Sequence, residues 1–369
     1  MTTLAKDNAA PPGGPRLRLA AVGDLLLPAG PYGTAPCRDI DEAFADARPA
    51  LAPSHVLFGN LECTLPGDGR TVASEPRVIA TPQYVRAVGE AGFHVVTLAN
   101  NHMFDCFHEG FAHLRGLLDE LGILYFGAGD DLEQASAPAI LTAGGVRLAF
   151  LGGADERSGT RPFATADHWG VAPLDADRLV GQVRELVGEV DHVLVSPHWG
   201  EERFDIPAPD QVELAHRLVD AGASMVLGHH PHVLQGMEVY RGRPIAYSLG
   251  NFIACEVPYK DDLIRWNRTE RTGCLLTADL TVDAVENVRQ TPTYDDGRRV
   301  RADVSRFGRR RIAKVNRALE PGVSPRRYRR EHFRIKRLRP ILNQLRWSKL
   351  RRFRLSKIGK AFRLLFGRA

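Results

Sequence analysis

Thiol chemistry has little to work with in this chain: among 369 residues there are five cysteines, an odd number, widely spaced and without a CxxC pair. That excludes a thiolate zinc site and gives no sign of a disulfide framework, so a reduced cytoplasmic setting is expected. No run of about 18 apolar residues occurs, which argues against a membrane-spanning helix. The first apolar stretch, Leu17 to Leu27, is interrupted by Gly23 and Asp24 and makes a poor signal peptide. No repeat of solenoid period is present.

Acidic residues are scarce at one end only. From residue 301 onward there are 24 Lys and Arg against 3 Asp and Glu, leaving 25 against 41 for residues 1–300. The chain therefore divides into a polar, Pro/Gly-containing start (1–16), a main domain (17–284) and an Arg-rich C-terminal extension (285–369). Within the extension, residues 341–366 place Leu355, Ile358, Phe362, Leu365 and Phe366 in one sector of a helix, with Lys357, Lys360 and Arg363 outside it. A basic amphipathic helix of this kind suits an anionic membrane surface. Nucleic acid is the weaker alternative, and a tail that folds only against a partner is a third reading.

Short apolar runs (RLRLAAVG, HVLFG, HVVTLA, VRLAFLGG, HVLVSPH, SMVLGH) alternate with amphipathic stretches such as QVELAHRLVDAG. Strands followed by helices predict a layered α/β fold. Gly144–Gly145 and Arg241–Gly242, each between two apolar runs, predict hairpins and hence mixed sheets.

Polar residues cluster where the runs end. Asp24 follows LAAVG, Asn60 and Glu62 follow HVLFG, Asn100 to His102 follow VVTLA, His198 closes HVLVSPH, and His230 and His232 follow MVLGH. Ligand sites in layered α/β folds gather at the carboxyl ends of strands. Carboxylate, amide and imidazole without thiolate describe a divalent-metal centre, suited to manganese, iron or zinc. Taken singly, each residue has a plain alternative: Asp24 as a helix cap, Asn100–Asn101 as a turn, His198 as a hydrogen-bonded core residue. Their joint occurrence at five successive strand ends favours the metal. Trp199, Glu201 and Glu202 after His198, and Asn251 with Phe252 after a later strand, together with Asn60, are candidates for the mouth of the site, Asn251 equally for a bond that orients a ligand.

In order, GDLLL, NLECTL, LANNHMFD, FGAGDDLEQASAP, HWGEE, HHPH and YSLGNF resemble the CapA family of poly-γ-glutamate capsule biosynthesis proteins, which is similar in fold to calcineurin-like metallophosphoesterases. The resemblance implies two mixed β-sheets sandwiched by helices and one or two divalent ions. It places Asp24 and His232 on one ion, Asn101, His198 and His230 on the second, Glu62 at the bridging position, and His102 as the substrate-facing acid. It implies hydrolysis of a phosphoester or, alternatively, service in a γ-glutamyl polymer synthesis or export complex with little hydrolysis. The chain departs from the pattern at Leu26, where calcineurin-type motifs carry histidine, at Glu62, usually Asp, and at His55 and Phe107, where CapA-type chains usually carry Asp and Gly. A cytoplasmic protein, peripheral at the inner membrane surface if the tail acts there, is the expected setting.

Overall fold

The computed structural model describes residues 3–6, 14–29, 38–303 and 305–338. The amphipathic stretch 341–366 lies outside them. Two mixed β-sheets face each other, with helices on both outer sides, the layering that the resemblance implied. The first sheet runs in the order Val300–Ala302, Val285–Asp295, Thr272–Thr281, Arg16–Leu26, Val56–Leu61, Val95–Thr97, Leu124–Phe126, with Asn251–Ala254 paired to the end of Arg16–Leu26. The second runs Thr3–Lys6, Ala139–Ala143, Val146–Ala154, His192–His198, Met225–Leu227, Arg243–Ala246, Met237–Tyr240.

Alternation along Arg16–Leu26 shows how the sequence builds three layers of contact. Leu17, Leu19 and Ala21 point into the space between the sheets, where they meet Phe58, Phe126, Leu148 and Phe150. Ala20 and Val22 point outward, into the cluster that holds Tyr84 and Val88 of the helix Pro82–Glu90 and Phe111 and Leu114 of Phe107–Leu121. On the far side, Val193, Val195 and Val226 take the apolar stripes of Ala176–Leu186 and Pro209–Ala221. Strands covered on both faces read as continuous apolar runs, which is why they were visible in the sequence.

Both expected hairpins form. Ala143 pairs with Val146 and Tyr240 with Arg243, and each two-residue turn has positive φ at both positions (57° and 76°; 49° and 79°). That is the twist-matched geometry of a type I′ turn.

Three boundaries differ from the sequence reading. Thr3–Lys6, assigned to a flexible start, pairs in parallel with Ala139–Ala143. Val285–Asp295, assigned to the extension, is the antiparallel partner of Thr272–Thr281. Its residues alternate between half-buried and exposed over much of its length, and such a strand carries no apolar run to betray it. The helix Arg306–Arg317 also belongs to the fold: Ile312 and Val315 enter the intersheet core, and Arg311 is held by Asp205 through two hydrogen bonds of 2.8 and 2.5 Å.

The cysteine reading is corrected as well. Cys255 is disulfide-bonded, whereas Cys63, Cys106 and Cys274 are buried free thiols. A disulfide persists in oxidising compartments, so the cysteine count no longer supports a reduced setting. Thiol titration of the denatured chain should give fewer reactive groups before reduction than the five after it; five at the outset would contradict the bond. Among the described residues no helix is long and apolar enough to cross a membrane.

Candidate metal centre

Parallel pairing carries the ends of Arg16–Leu26, Val56–Leu61 and Val95–Thr97 to one edge of the first sheet. The parallel strands His192–His198 and Met225–Leu227 end at the facing edge of the second, and the two rims meet over the site. The approach is close enough to dictate glycine before Asp24: a Cβ at Gly23 would sit 1.7 Å from the Gly250 carbonyl oxygen. In the loop after Met225–Leu227, His230 and His232 both take positive φ, 93° and 54°. Histidine adopts this region at a cost of order 1–3 kcal/mol each, and such strain concentrates at functional sites. Phe107, where the resemblance placed glycine, is likewise at φ 55°.

Asn60 holds the two carboxylates together, its Nδ2 donating to Asp24 Oδ1 at 2.9 Å and to Glu62 Oε2 at 3.0 Å. Asn100 Nδ2 donates in turn to Asn60 Oδ1 at 3.1 Å. His229 Nδ1 lies 2.9 Å from Asp24 Oδ1 and His232 Nδ1 3.2 Å from Asp24 Oδ2. Glu62 Oε1 faces His232 Nε2 at 3.6 Å and His198 Nε2 at 3.9 Å. Asn101 Oδ1 is 2.9 Å from His198 Nε2. Beside them, His102 Nδ1 is 2.8 Å from Asp105 Oδ2, which also accepts from the Val78 N–H at 2.7 Å.

Burial drives carboxyls up and imidazoles down, and opposite charges reverse either trend. Burial raises Glu62 to about 8. Asp24 goes the other way: burial is outweighed by its contacts with His229 and His232, which hold it well below the usual carboxylate range. Burial, reinforced by neighbouring imidazoles, lowers His230 to about 4 and His198 well below its ordinary value. His232 resists burial and rises to about 10 because Glu62 and Asp24 face it.

Whether these groups suit a metal is decided by what they leave unpaired. Glu62 Oε1, His198 Nδ1, His229 Nε2 and His230 Nδ1 are buried without a hydrogen-bond partner among the described residues, and Asp24 Oδ2 has only the 3.2 Å contact with His232. Buried polar atoms cost about 1–3 kcal/mol when unsatisfied, and several in one place mark an unfilled demand for a ligand or ion. Three sets of ligand atoms lie within 4.8 Å of one another: Asp24, Glu62 and His232; Glu62, His198 and His230; and Glu202, His230 and His232. Glu62 is common to the first two sets. The donor set fits a divalent cation.

A metal bound here would compete with protons on the Glu62–His232 pair, since burial raises Glu62 and the facing carboxylates raise His232. Affinity is therefore expected to rise with pH. Titration calorimetry of metal-stripped protein should show proton release at pH 7 and affinity that increases from pH 6 to 8.5; pH-independent affinity would contradict this assignment.

The mouth residues fare differently. Trp199 is fully buried, its indole N–H donating to the Tyr247 carbonyl at 2.9 Å. It is a core residue and cannot meet substrate; it lies where Gly228 has no side chain to oppose it. Glu201 is engaged by His332 and Lys336 at 2.9 and 3.0 Å. Asn251 is buried, its Oδ1 lying 3.0 Å from His232 Nδ1, and so orients that imidazole. Asn60 is buried between the carboxylates and unavailable to substrate. Two residues escaped the sequence reading in role, His229 against Asp24 and Asp105 against His102; Glu202, read as a mouth residue together with Glu201, groups with His230 and His232. The triple histidine and the i, i+3 spacing of His102 and Asp105 were the available signals.

Residues 18–256 match a family model described as the bacterial capsule synthesis protein PGA_cap. The chain is similar to the capsule biosynthesis protein CapA of Bacillus anthracis, 35% identical over 252 residues that cover 64% of this chain and 60% of that protein. It is 31% identical over 240 residues to the PGA biosynthesis protein CapA of Bacillus subtilis (strain 168), covering 64% of this chain and 63% of the relative. The chain thus spans about three-fifths of the length of these relatives. Among solved structures, a novel phosphatase from Mycoplasma pneumoniae gives a TM-score of 0.48 at 11% identity, covering 76% of this chain and 94% of that one.

Proposed function

Since this chain belongs to the family of the bacterial capsule synthesis protein PGA_cap, we propose that it is a metal-dependent phosphoester hydrolase of that family, with Asp24, Glu62, Asn101, His198, His230 and His232 as ligands. The observation that carries this reading is the convergence of buried, unpaired carboxylate and imidazole atoms beside a histidine oriented by a carboxylate. One or two divalent ions, when bound, supply an activated water and neutralise phosphoryl oxygens.

The remaining roles fall to the chain. Asp105 accepts from His102 Nδ1–H, which turns Nε2 toward Asn101, 3.2 Å from its Nδ2. In this geometry Nε2 accepts from the Asn101 amide; despite burial, Asp105 raises the pKa of His102 above its ordinary value, which favours protonation, and a protonated Nε2 released from that amide would donate to a leaving oxygen. Asn60 keeps Asp24 and Glu62 in register, and Asn251 fixes the ring of His232. Hydrolysis of p-nitrophenyl phosphate and bis(p-nitrophenyl) phosphate with added manganese, iron or zinc, abolished by chelator, tests the proposal; no turnover of either ester with any of the three ions would contradict it.

One observation favours a second reading. Leu26 is 1% exposed and packed in the apolar core, so the ligand that calcineurin-type motifs carry there is missing. In a weakly hydrolytic subunit of a γ-glutamyl polymer synthesis or export complex, loss of polymer on deletion would be rescued as well by His102→Ala as by the parent chain. The basic tail is proposed to address an anionic membrane surface in either case.

A further inference from the structure

The loop that leaves His192–His198 carries two adjacent glutamates that turn in opposite directions. Glu201 faces the C-terminal segment, between His332 and Lys336. Glu202 faces the metal centre: one of its oxygens and ring nitrogens of His230 and His232 lie within 4.8 Å of one another.

Its placement is built from several directions. Gly200 and Arg203 take positive φ, 88° and 59°, and the Arg203 N–H donates to the Pro231 carbonyl at 2.8 Å, between the two histidines. The Arg203 guanidinium lies 5.3 Å from the Trp266 ring, which itself lies 5.3 Å from His232. Phe204 is buried with its ring 5.2 Å from Tyr328 and 5.6 Å from His332. Lys336 Nζ donates to the Glu202 carbonyl oxygen at 2.5 Å. Residues 325–338 therefore act as a strap across this loop.

Chemistry supplies the reason for a carboxylate here. Leu26 offers no donor from the opposite wall, and Glu62 is already common to the other two sets. Without Glu202, an ion between His230 and His232 would draw on carboxylates only from the Asp24 and Glu62 sets. His230 Nδ1 is buried without a hydrogen-bond partner among the described residues, an independent sign that this loop awaits a ligand. Glu202 is exposed whereas His230 and His232 are buried, so it would offer an ion a carboxylate on the open side of the set. We infer that Glu202 is a ligand of a divalent cation shared with His230 and His232, a two-histidine, one-carboxylate set of the kind that holds zinc and related ions, and that the 325–338 strap fixes its position. The inference rests on the metal reading above and adds to it a ligand outside the strand-end pattern.

Calorimetric titration of the metal-stripped full chain with Mn2+ and with Zn2+ tests it. Glu202→Gln should lower affinity at least about 10-fold or abolish one of two binding events, with the thermal midpoint of the metal-free protein unchanged. The double variant His332→Ala/Lys336→Ala, which leaves every ligand in place, should lower affinity in the same direction by less. Unaltered affinity and stoichiometry in Glu202→Gln, while the parent binds, would overturn this assignment alone. No uptake by the parent would overturn it together with the metal reading, and unaltered affinity in the double variant would overturn the strap.

Discussion

Replacing His102 by alanine should lower kcat for phosphoester hydrolysis by about 10²–10⁴-fold, the usual contribution of a positioned general acid, while bound metal stays at the parent level. The His102 side chain meets the centre through Nε2, on the side of Asn101, and its Nδ1 is taken by Asp105, while its backbone N–H, which the substitution keeps, donates to Asn100. The effect should depend on the leaving group. p-Nitrophenolate departs readily without a proton and should show a loss at the low end of the range, whereas an alkyl phosphate, whose alkoxide needs protonation, should show the larger one. Equal losses with both would assign His102 to charge stabilisation in place of proton donation. Asp105→Asn is a less clean probe, since Asp105 Oδ2 also holds the Val78 N–H and its loss disturbs the loop before the helix Pro82–Glu90.

Glu62→Gln should have the largest effect on metal content. Glu62 belongs to both the Asp24–His232 and the His198–His230 sets, so one substitution weakens two positions at once. Partners one bond removed from an ion are worth about 10–100-fold in affinity, and a shared ligand should exceed that. The same change should not destabilise the metal-free fold. Burial raises Glu62 to about 8, so its ionisation opposes folding: stability attached to the neutral form is present below the unfolded carboxyl pKa and is lost as pH rises through the folded value. A neutral amide removes that penalty and still leaves Asn60 Nδ2 its bond to Asp24. Metal-stripped Glu62→Gln is expected to melt no lower than metal-stripped parent at pH 8.5; a lower midpoint there would show that the carboxylate is structural. A site whose ligands destabilise the empty protein is the common stability–function trade-off.

Much of this arrangement was legible before any coordinates. Strands buried on both faces announce themselves as apolar runs, and a polar residue at the end of each run stands out against them, which singled out Asp24, Asn60, Glu62, Asn100 to His102, His198, His230 and His232; the choice of ligands among them came from the resemblance. The two hairpins were readable because Gly144–Gly145 and Arg241–Gly242 interrupt such runs. What escaped depends on side-chain direction. Glu201 and Glu202 are equivalent in sequence, and the choice between them is made by Tyr328, His332 and Lys336, more than 120 residues further along. That His229 and His232 both reach Asp24 while the His230 ring lies beside His198 goes with positive φ at His230 and His232, which no composition signals. Trp199 looked like a mouth residue because it follows His198; the space over Gly228 draws it into the core. Val285–Asp295 pairs its backbone with a neighbour while keeping much of its surface polar, so a reading based on apolar periodicity ended the domain too early.

The central claim is that these strand ends hold a divalent metal. Elemental analysis of the purified full chain beside His230→Ala, each freed of loosely bound ions by gel filtration, tests it most directly. The account predicts about one to two equivalents of a transition metal per chain in the parent and a clear deficit in the variant. Parent protein that retains no ion after exposure to manganese, iron and zinc, or a variant that retains as much as the parent, would contradict it.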